Sequence, residues 1–302
     1  MKTILKKEYR EDSIGESWEI SAVEGNETRV SGGPERGKTL KELIQEYGEE
    51  LVGKRVYERF GEEFPLLIKY IDAARPLSVQ VHPGDELALE RHDSFGKNEM
   101  WYVMGADEGA ELIIGFNRQI DESQYERLLD QKEIMKVMNS QRVKPGDTFY
   151  IPTGRVHAIG AGVLLAEIQQ TSDITYRIYD YDRVDARTGQ KRELHTEEAK
   201  GAIDYTVRDS YHTDYEEKIN QANVLVHSPY FKTNLLIVEG EMSLDYTNLD
   251  SFVIYMCVEG KAALQTEDSE HSIALGETLL IPATAGKLTL RSEGCRILEV
   301  SL

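Results

Sequence analysis

The sequence predicts a mainly β protein made of two jelly-roll (double-stranded β-helix) modules, with helical insertions in the first. Three observations carry this. Short apolar segments with two-residue alternation recur along the chain, bounded by Gly, Pro and Asp. One turn-and-strand unit occurs twice: Gly146-Asp147-Thr148-Phe149-Tyr150-Ile151-Pro152 matches Gly276-Glu277-Thr278-Leu279-Leu280-Ile281-Pro282 position by position. Residue types that ligate metals, His82, Glu99 and His157, accompany strands in the first copy.

In chain order, Ser17-Trp18-Glu19-Ile20-Ser21 reads as an early strand, with a turn at Glu24-Gly25-Asn26-Glu27. Thr39-Leu40-Lys41-Glu42 has the form of a capping box, and Leu40, Leu43, Ile44, Tyr47 and Leu51 follow at helical spacing. That spacing predicts a helix over 40–52. The dense apolar run 65–71 reads as a buried strand. Leu77, Val79 and Val81 then alternate with Ser78, Gln80 and His82, which predicts a half-buried strand with its polar set on one face. Pro83-Gly84-Asp85 ends it with turn chemistry. Glu99 opens a second strand through Met100-Trp101-Tyr102-Val103-Met104.

The helical insertions come next. Asp121 caps a helix carrying Tyr125, Leu128 and Leu129, and a second short helix carries Ile134, Val137 and Met138. Gly146-Asp147 starts a third strand, 148–152, which delivers His157. Over 163–179 the chain returns to strand. Leu164, Ala166, Ile168 and Gln170 alternate with Leu165, Glu167 and Gln169, and Thr175, Arg177 and Tyr179 share a face. Residues 180–192 are charged and turn-rich, a helix starts at Thr196, and 209–220 read as a linker.

With 302 residues the chain has room for two domains and a substantial core. Hydrophobic residues make up 40% and charged ones 29%, the balance of a soluble globular protein. No run approaches the roughly 18 to 20 apolar residues of a membrane helix, and the first residues lack the apolar core of a signal peptide. Cys257 and Cys295 sit in apolar surroundings and read as buried, reduced thiols, which implies a cytoplasmic address. A net charge of −19 argues against a nucleic-acid partner. Nothing in the chain points to a membrane or to an obligate protein partner.

His82, Glu99 and His157, two imidazoles and a carboxylate from separate strands, form a reasonable set for a divalent metal with an open position. Zinc, iron, manganese and nickel all suit such donors. Eleven residues past each leading Gly stand His157 in the first copy and Lys287 in the second. Six before Gly105 and Gly260 stand Glu99 and Ile254. The second copy keeps the framework and loses the ligands. The expected domains are therefore 1–220, carrying the metal and the chemistry, and 221–302, a second jelly roll without metal ligands.

At four separated blocks, PLSVQVHP, GKNEMWYV, IPTGRVHAIGAG and EIQQTSDITYR, the sequence resembles the type I mannose-6-phosphate isomerases (phosphomannose isomerases) of the cupin superfamily. The similarity is to the short bacterial form and spans nearly the whole chain, from GESWEIS onward. The resemblance implies one zinc ion per chain held by Gln80, His82, Glu99 and His157, with water the alternative to the weak amide ligand Gln80. It implies interconversion of mannose 6-phosphate and fructose 6-phosphate through an enediol. Arg177 matches the arginine this family treats as catalytic, Glu167 is the preferred base, and Lys97 matches a lysine near the substrate. Ser78, Lys97 and Arg177 are the expected substrate contacts. Longer relatives carry His where this chain has Gly96. A sugar phosphate is an anion in a chain of −19, so the site must own local cations, which screening over about 8 Å allows to dominate. Two other readings stand beside this one: a cupin oxygenase, and a non-catalytic metal-containing sugar-binding cupin.

Overall fold

The computed structural model describes residues 1–7, 14–185, 188–267 and 269–302. They form two compact units, Ile71–His212 on the one hand and Met1–Tyr70 with Thr213–Leu302 on the other. The architecture is mainly β, as expected, and no helix among the described residues is long and apolar enough to cross a membrane.

The chain begins with α1 (Lys2–Leu5), β1 (Glu16–Ile20), α2 (Leu40–Tyr47), α3 (Glu49–Val52) and α4 (Lys54–Phe60). The capping box is present: Glu42 N–H donates to Thr39 Oγ1 and Thr39 N–H to Glu42 Oε2. The single helix expected over 40–52 is two. Gly48 adopts φ 47° and donates its N–H to Ile44 O, closing α2 before the apolar spacing runs out. The strand β2 (Leu66–Ala73) carries the chain from one unit into the other.

The Ile71–His212 unit contains β3 (Val79–Val81), α5 (Asp85–His92), β4 (Glu99–Ala106), β5 (Glu111–Phe116), α6 (Glu122–Asp130), a 3-10 turn (Ile134–Val137) and β6 (Met138–Arg142). It continues through β7 (Thr148–Ile151), β8 (His157–Ile159), β9 (Val163–Gln170), β10 (Tyr176–Tyr179) and α7 (Thr196–Lys200). Two sheets result, one with the order β9-β4-β7 and one with the order β10-β3-β8-β5-β6. Trp101, Val103, Phe149, Ile151, Val163 and Leu165 from the first meet Leu112, Ile114 and Ile159 from the second in one apolar cluster. The outer face of the second sheet (Val79, Val81, Ala158, Ile178) is covered by Tyr125 and Leu128 of α6, Ile134 and Val137 of the 3-10 turn, and Ala199 of α7. Asp121 caps α6 as expected. Met138, expected in the second short helix, instead opens β6 opposite Phe116. Its spacing with Ile134 and Val137 fits a helix, and cross-strand pairing overrides it. The helix α5 was not legible, because DELALERH buries only Ala88 and shows no apolar stripe.

The half-buried strand expected over 77–82 is buried on both faces. Val79 and Val81 enter the outer cluster, while Ser78 and His82 are buried on the inward side. Polarity here marks a buried inner face and not solvent. The same holds for β9, in which every residue is buried.

Residues after 213 form β11 (Ala222–His227), β12 (Lys232–Asp245), β13 (Val253–Gln265), β14 (Glu270–Ala274), β15 (Thr278–Ile281) and β16 (Lys287–Ser301). The sheet order is β11-β12-β16-β13-β14, with β15 on β13. Leu236, Val238, Tyr255, Cys257, Leu290 and Ile297 are among its buried core residues.

Candidate metal centre and active site

Alternation delivers the site. On β3 and β10 the register sets Gln80 opposite Arg177, and on β3 and β8 it sets Gln80 opposite His157, so these three share the inner face of one sheet. From the other sheet come Glu99 at the head of β4 and, across it on β9, Gln169; two residues along, Trp101 stands opposite Glu167. His82 follows β3 directly, and Gly154 N–H donates to its carbonyl at 2.9 Å.

His82, Glu99 and His157 meet, with ligand atoms all within 4.8 Å of one another and all three residues buried. Glu99 lies between the two rings: Oε2 is 3.5 Å from His82 Nε2 and Oε1 is 3.2 Å from His157 Nε2. Each ring is held from behind. His82 Nδ1 donates to Ile174 O at 2.8 Å and His157 Nδ1 to Arg155 O at 2.8 Å, which assigns the proton to Nδ1 and turns the Nε2 lone pair inward. Burial, followed by the charge of Lys97, lowers the His157 pKa to about 4 against the support of the Arg155 carbonyl and Glu167, so the imidazole is neutral at physiological pH. These features fit a divalent metal: two imidazoles oriented by backbone carbonyls and one carboxylate between them. Gln80 Nε2 lies 3.3 Å from His157 Nε2, and half a turn of the amide presents its oxygen instead.

Lys97 enters this cluster. Its Nζ is 3.3 Å from Glu99 Oε2 and 3.3 Å from His82 Nε2, and the residue is 5% exposed. Burying an ammonium costs several kcal/mol unless it is paired, and Glu99 supplies the pairing. Glu167 Oε2 accepts from Trp101 Nε1 at 2.8 Å, and the Trp101 ring stands edge-on to His157 at 5.3 Å between centroids. Arg177 is half-buried; its Nη1 donates to Glu193 O at 2.8 Å, and its N–H donates to His195 Nδ1. Burial and then the neighbouring Arg192 lower its pKa from the ordinary guanidinium value. Ser78 is buried two residues before Gln80.

Residues 6–118 match the family described as "Phosphomannose isomerase type I, catalytic domain", and residues 221–301 match "Mannose-6-phosphate isomerase, cupin domain". Mannose-6-phosphate isomerase ManA of Bacillus subtilis is 36% identical over 279 residues, spanning 91% of this chain and 86% of its own length. The chain belongs to the type I phosphomannose isomerase family. Mannose-6-phosphate isomerase of Streptococcus mutans is 35% identical over 93% of this chain and 87% of its own. The crystal structure of the Bacillus subtilis mannose 6-phosphate isomerase superposes with a TM-score of 0.89 at 32% identity, covering 100% of this chain and 93% of that one. A mannose 6-phosphate isomerase bound with zinc and yttrium shares the fold, with a TM-score of 0.72 at 17% identity.

In this member of the phosphomannose isomerase family, sequence reasoning missed an arginine cluster. Asp180, 5% exposed, accepts from Arg183 and from Arg192 (Nη2 to Oδ1 2.5 Å), and both arginines bear electrostatically on Arg177. Arg177, Arg183 and Arg192 thus gather near Asp180, with Glu193 also acting on Arg177 and Asp185 on Arg192. The stretch 180–192 showed only charge and turns, because its pairing depends on long side chains and not on periodicity. The counterpart of Glu99 in the second jelly roll also needs correction. Glu99 pairs with Ile151, and the residue that pairs with the equivalent Ile281 is Val253, not Ile254. Both strands shift register at the same place, between Val103 and Gly105 in β4 and between Cys257 and Glu259 in β13. Gly105 therefore corresponds to Glu259, and counting back from Gly260 starts one residue out; one residue moves a side chain to the other face.

Proposed function

We propose that this chain interconverts mannose 6-phosphate and fructose 6-phosphate through an enediol, with one zinc ion per chain held by Gln80, His82, Glu99 and His157. The buried Lys97 within the metal-ligand cluster carries the reading. A purely structural or oxygen-activating metal site has no use for a second cation 3.3 Å from its carboxylate, whereas a reaction that builds negative charge on a sugar oxygen does. Once bound there, the zinc would supply polarisation and orientation of the sugar oxygens.

The chain's own residues do the rest. Glu167 takes the carbon-bound proton from C2 of the aldose and returns it at C1, its carboxylate held in place by Trp101. Lys97 donates to the oxygen on which charge develops. Arg177 places its planar fork on the enediolate side of the substrate, and Ser78 contacts the sugar. Arg183 and Arg192 face the phosphate, offsetting the acidic surroundings. All of this chemistry falls within 1–220, and 221–302 is a second jelly roll with no metal of its own. The buried free thiols Cys257 and Cys295 support a reducing, cytoplasmic setting. A sugar phosphate is the only partner this reading needs.

Elemental analysis of the purified protein, paired with a coupled assay on mannose 6-phosphate, tests it. Close to one zinc per chain, with turnover lost to a chelator, is the expected result. Zinc without turnover would favour a sugar-binding module, and iron with oxygen uptake would favour an oxygenase.

A further inference from the structure

We propose that Asn98 and Gln170 form a clamp that positions Lys97 against the metal cluster, making them positioning residues for the reaction. The inference rests on the role proposed above for Lys97. The ladder between β4 and β9 ends at the pair Glu99 and Gln169, and the residues carrying Lys97 lie beyond it. Gln170 takes over there with its side chain as well as its backbone. Its N–H donates to Asn98 O at 3.1 Å, and its Oε1 accepts from Asn98 N at 2.9 Å and from Asn98 Nδ2 at 2.8 Å. Asn98 alternates with Lys97 and Glu99, so it points away from the cluster they form with His82 and His157. On that side its Oδ1 accepts from Tyr150 OH at 3.2 Å and from Thr153 N at 3.1 Å.

The clamp also reaches the residue before Lys97. Gln170 Nε2 donates to Asp85 Oδ1 at 3.2 Å, and the same oxygen accepts from Gly96 N at 2.9 Å. A Cβ on Gly96 would fall 2.7 Å from Asp85 N and 2.8 Å from Asp85 Oδ1, so only glycine lets the segment lie this close to the start of α5. Peptide groups on both sides of Lys97 are thus fixed by side chains that are not metal ligands. Asn98 is 3% and Gln170 8% exposed, and buried amides bonded through both oxygen and nitrogen favour one geometry. The consequence is specific to lysine. A flexible four-carbon stem does not choose its own position, so the backbone beneath it must. This clamp holds that backbone while leaving the Nδ1 bonds of His82 and His157 untouched.

Gln170→Met keeps the volume and removes the side-chain hydrogen bonds. It is expected to lower kcat by about 10- to 100-fold, the scale of misplacing a reacting group by about an ångström. Metal per chain should equal that of the parent. The deciding measurement is a double-mutant cycle. In a Lys97→Ala background, Gln170→Met should cost nothing further, because the lysine it positions is gone. Equal losses in both backgrounds, or full turnover in Gln170→Met alone, would overturn the clamp. If Lys97→Ala itself keeps full turnover, the reading of Lys97 fails, a result separable from failure of the clamp. Should Gln170→Met not fold, Tyr150→Phe carries the test by removing the 3.2 Å bond to Asn98. It is expected to lower kcat by about 3-fold in the parent and not at all with Lys97→Ala; an equal loss in both, or none in the parent, counts against the proposal.

Discussion

The two jelly rolls keep one ladder and hang different chemistry on it. In the first, β4 sets Glu99 opposite Ile151 and Trp101 opposite Phe149; in the second, β13 sets Val253 opposite Ile281 and Tyr255 opposite Leu279. On the other side of the same strands, Trp101 faces Glu167 and Tyr255 faces Glu299. Both modules therefore bury a glutamate across from an aromatic donor. In the second it is closed off: the Tyr246 hydroxyl donates to Glu299 Oε1, Asn234 Nδ2 donates to Oε2 at 2.7 Å, and the Tyr246 and Tyr255 hydroxyls lie 2.5 Å apart. Burial first, then the neighbouring acidic groups, push both phenols far above their usual range, so they remain protonated. A buried glutamate in this slot is thus a property of the framework. What sets Glu167 apart is its surroundings, with Trp101 linking it to His157, a metal-ligand candidate that the second module replaces with the exposed Lys287.

The contrast can be broken most forcefully at the ligands. His82→Ala or His157→Ala should remove metal and turnover together, a larger loss than the roughly 10- to 100-fold in metal affinity that an outer-shell partner costs. Retained metal, by elemental analysis, would show that the triad is not the binding site. Next in size is Arg177→Ala, expected to lower kcat by about 100-fold or more while metal content and Tm stay near the parent. Lys in its place should rescue little, because it lacks the planar fork. A rise in KM at constant kcat would instead make Arg177 a uniform-binding clamp.

The paired glutamates sharpen the comparison. Glu167→Gln should abolish most turnover, whereas Glu299→Gln should leave kcat alone and cost about 1 to 3 kcal/mol of stability through an ill-matched buried amide, read from thermal or urea unfolding. If both variants lose only stability, Glu167 is framework as well and the base lies elsewhere. Smallest of all is Lys287→Ala. Its ammonium is exposed and 3.7 Å from Asp245, so turnover and Tm should both match the parent. A clear loss of turnover would give the second module a part in the chemistry.

The mainly β architecture, the repeated turn-strand unit and the gathering of His82, Glu99 and His157 were all legible in the sequence. Each depends on local rules: two-residue alternation, Gly-Asp turns, and a donor set whose members stand beside strands. Family membership, read from four motif blocks, is borne out by the relatives. Tertiary structure alone decided the rest. Alternation assigns Ser78, Gln80 and His82 to one face but cannot say whether that face meets water or the protein interior, and here Ser78 and His82 are buried. Counting from glycines assumes that the glycines are equivalent, but Gly105 corresponds to Glu259 and not to Gly260, so Ile254 stood in for Val253 until the strand pairing was known. The hydrogen bonds that turn the Nε2 atoms inward come from Ile174 and Arg155, and the lock on Lys97 comes from Gln170, 72 residues beyond Asn98. Long-range pairing of backbone and side-chain amides leaves no period in the chain, because it is satisfied by proximity in the fold and not by spacing along the sequence.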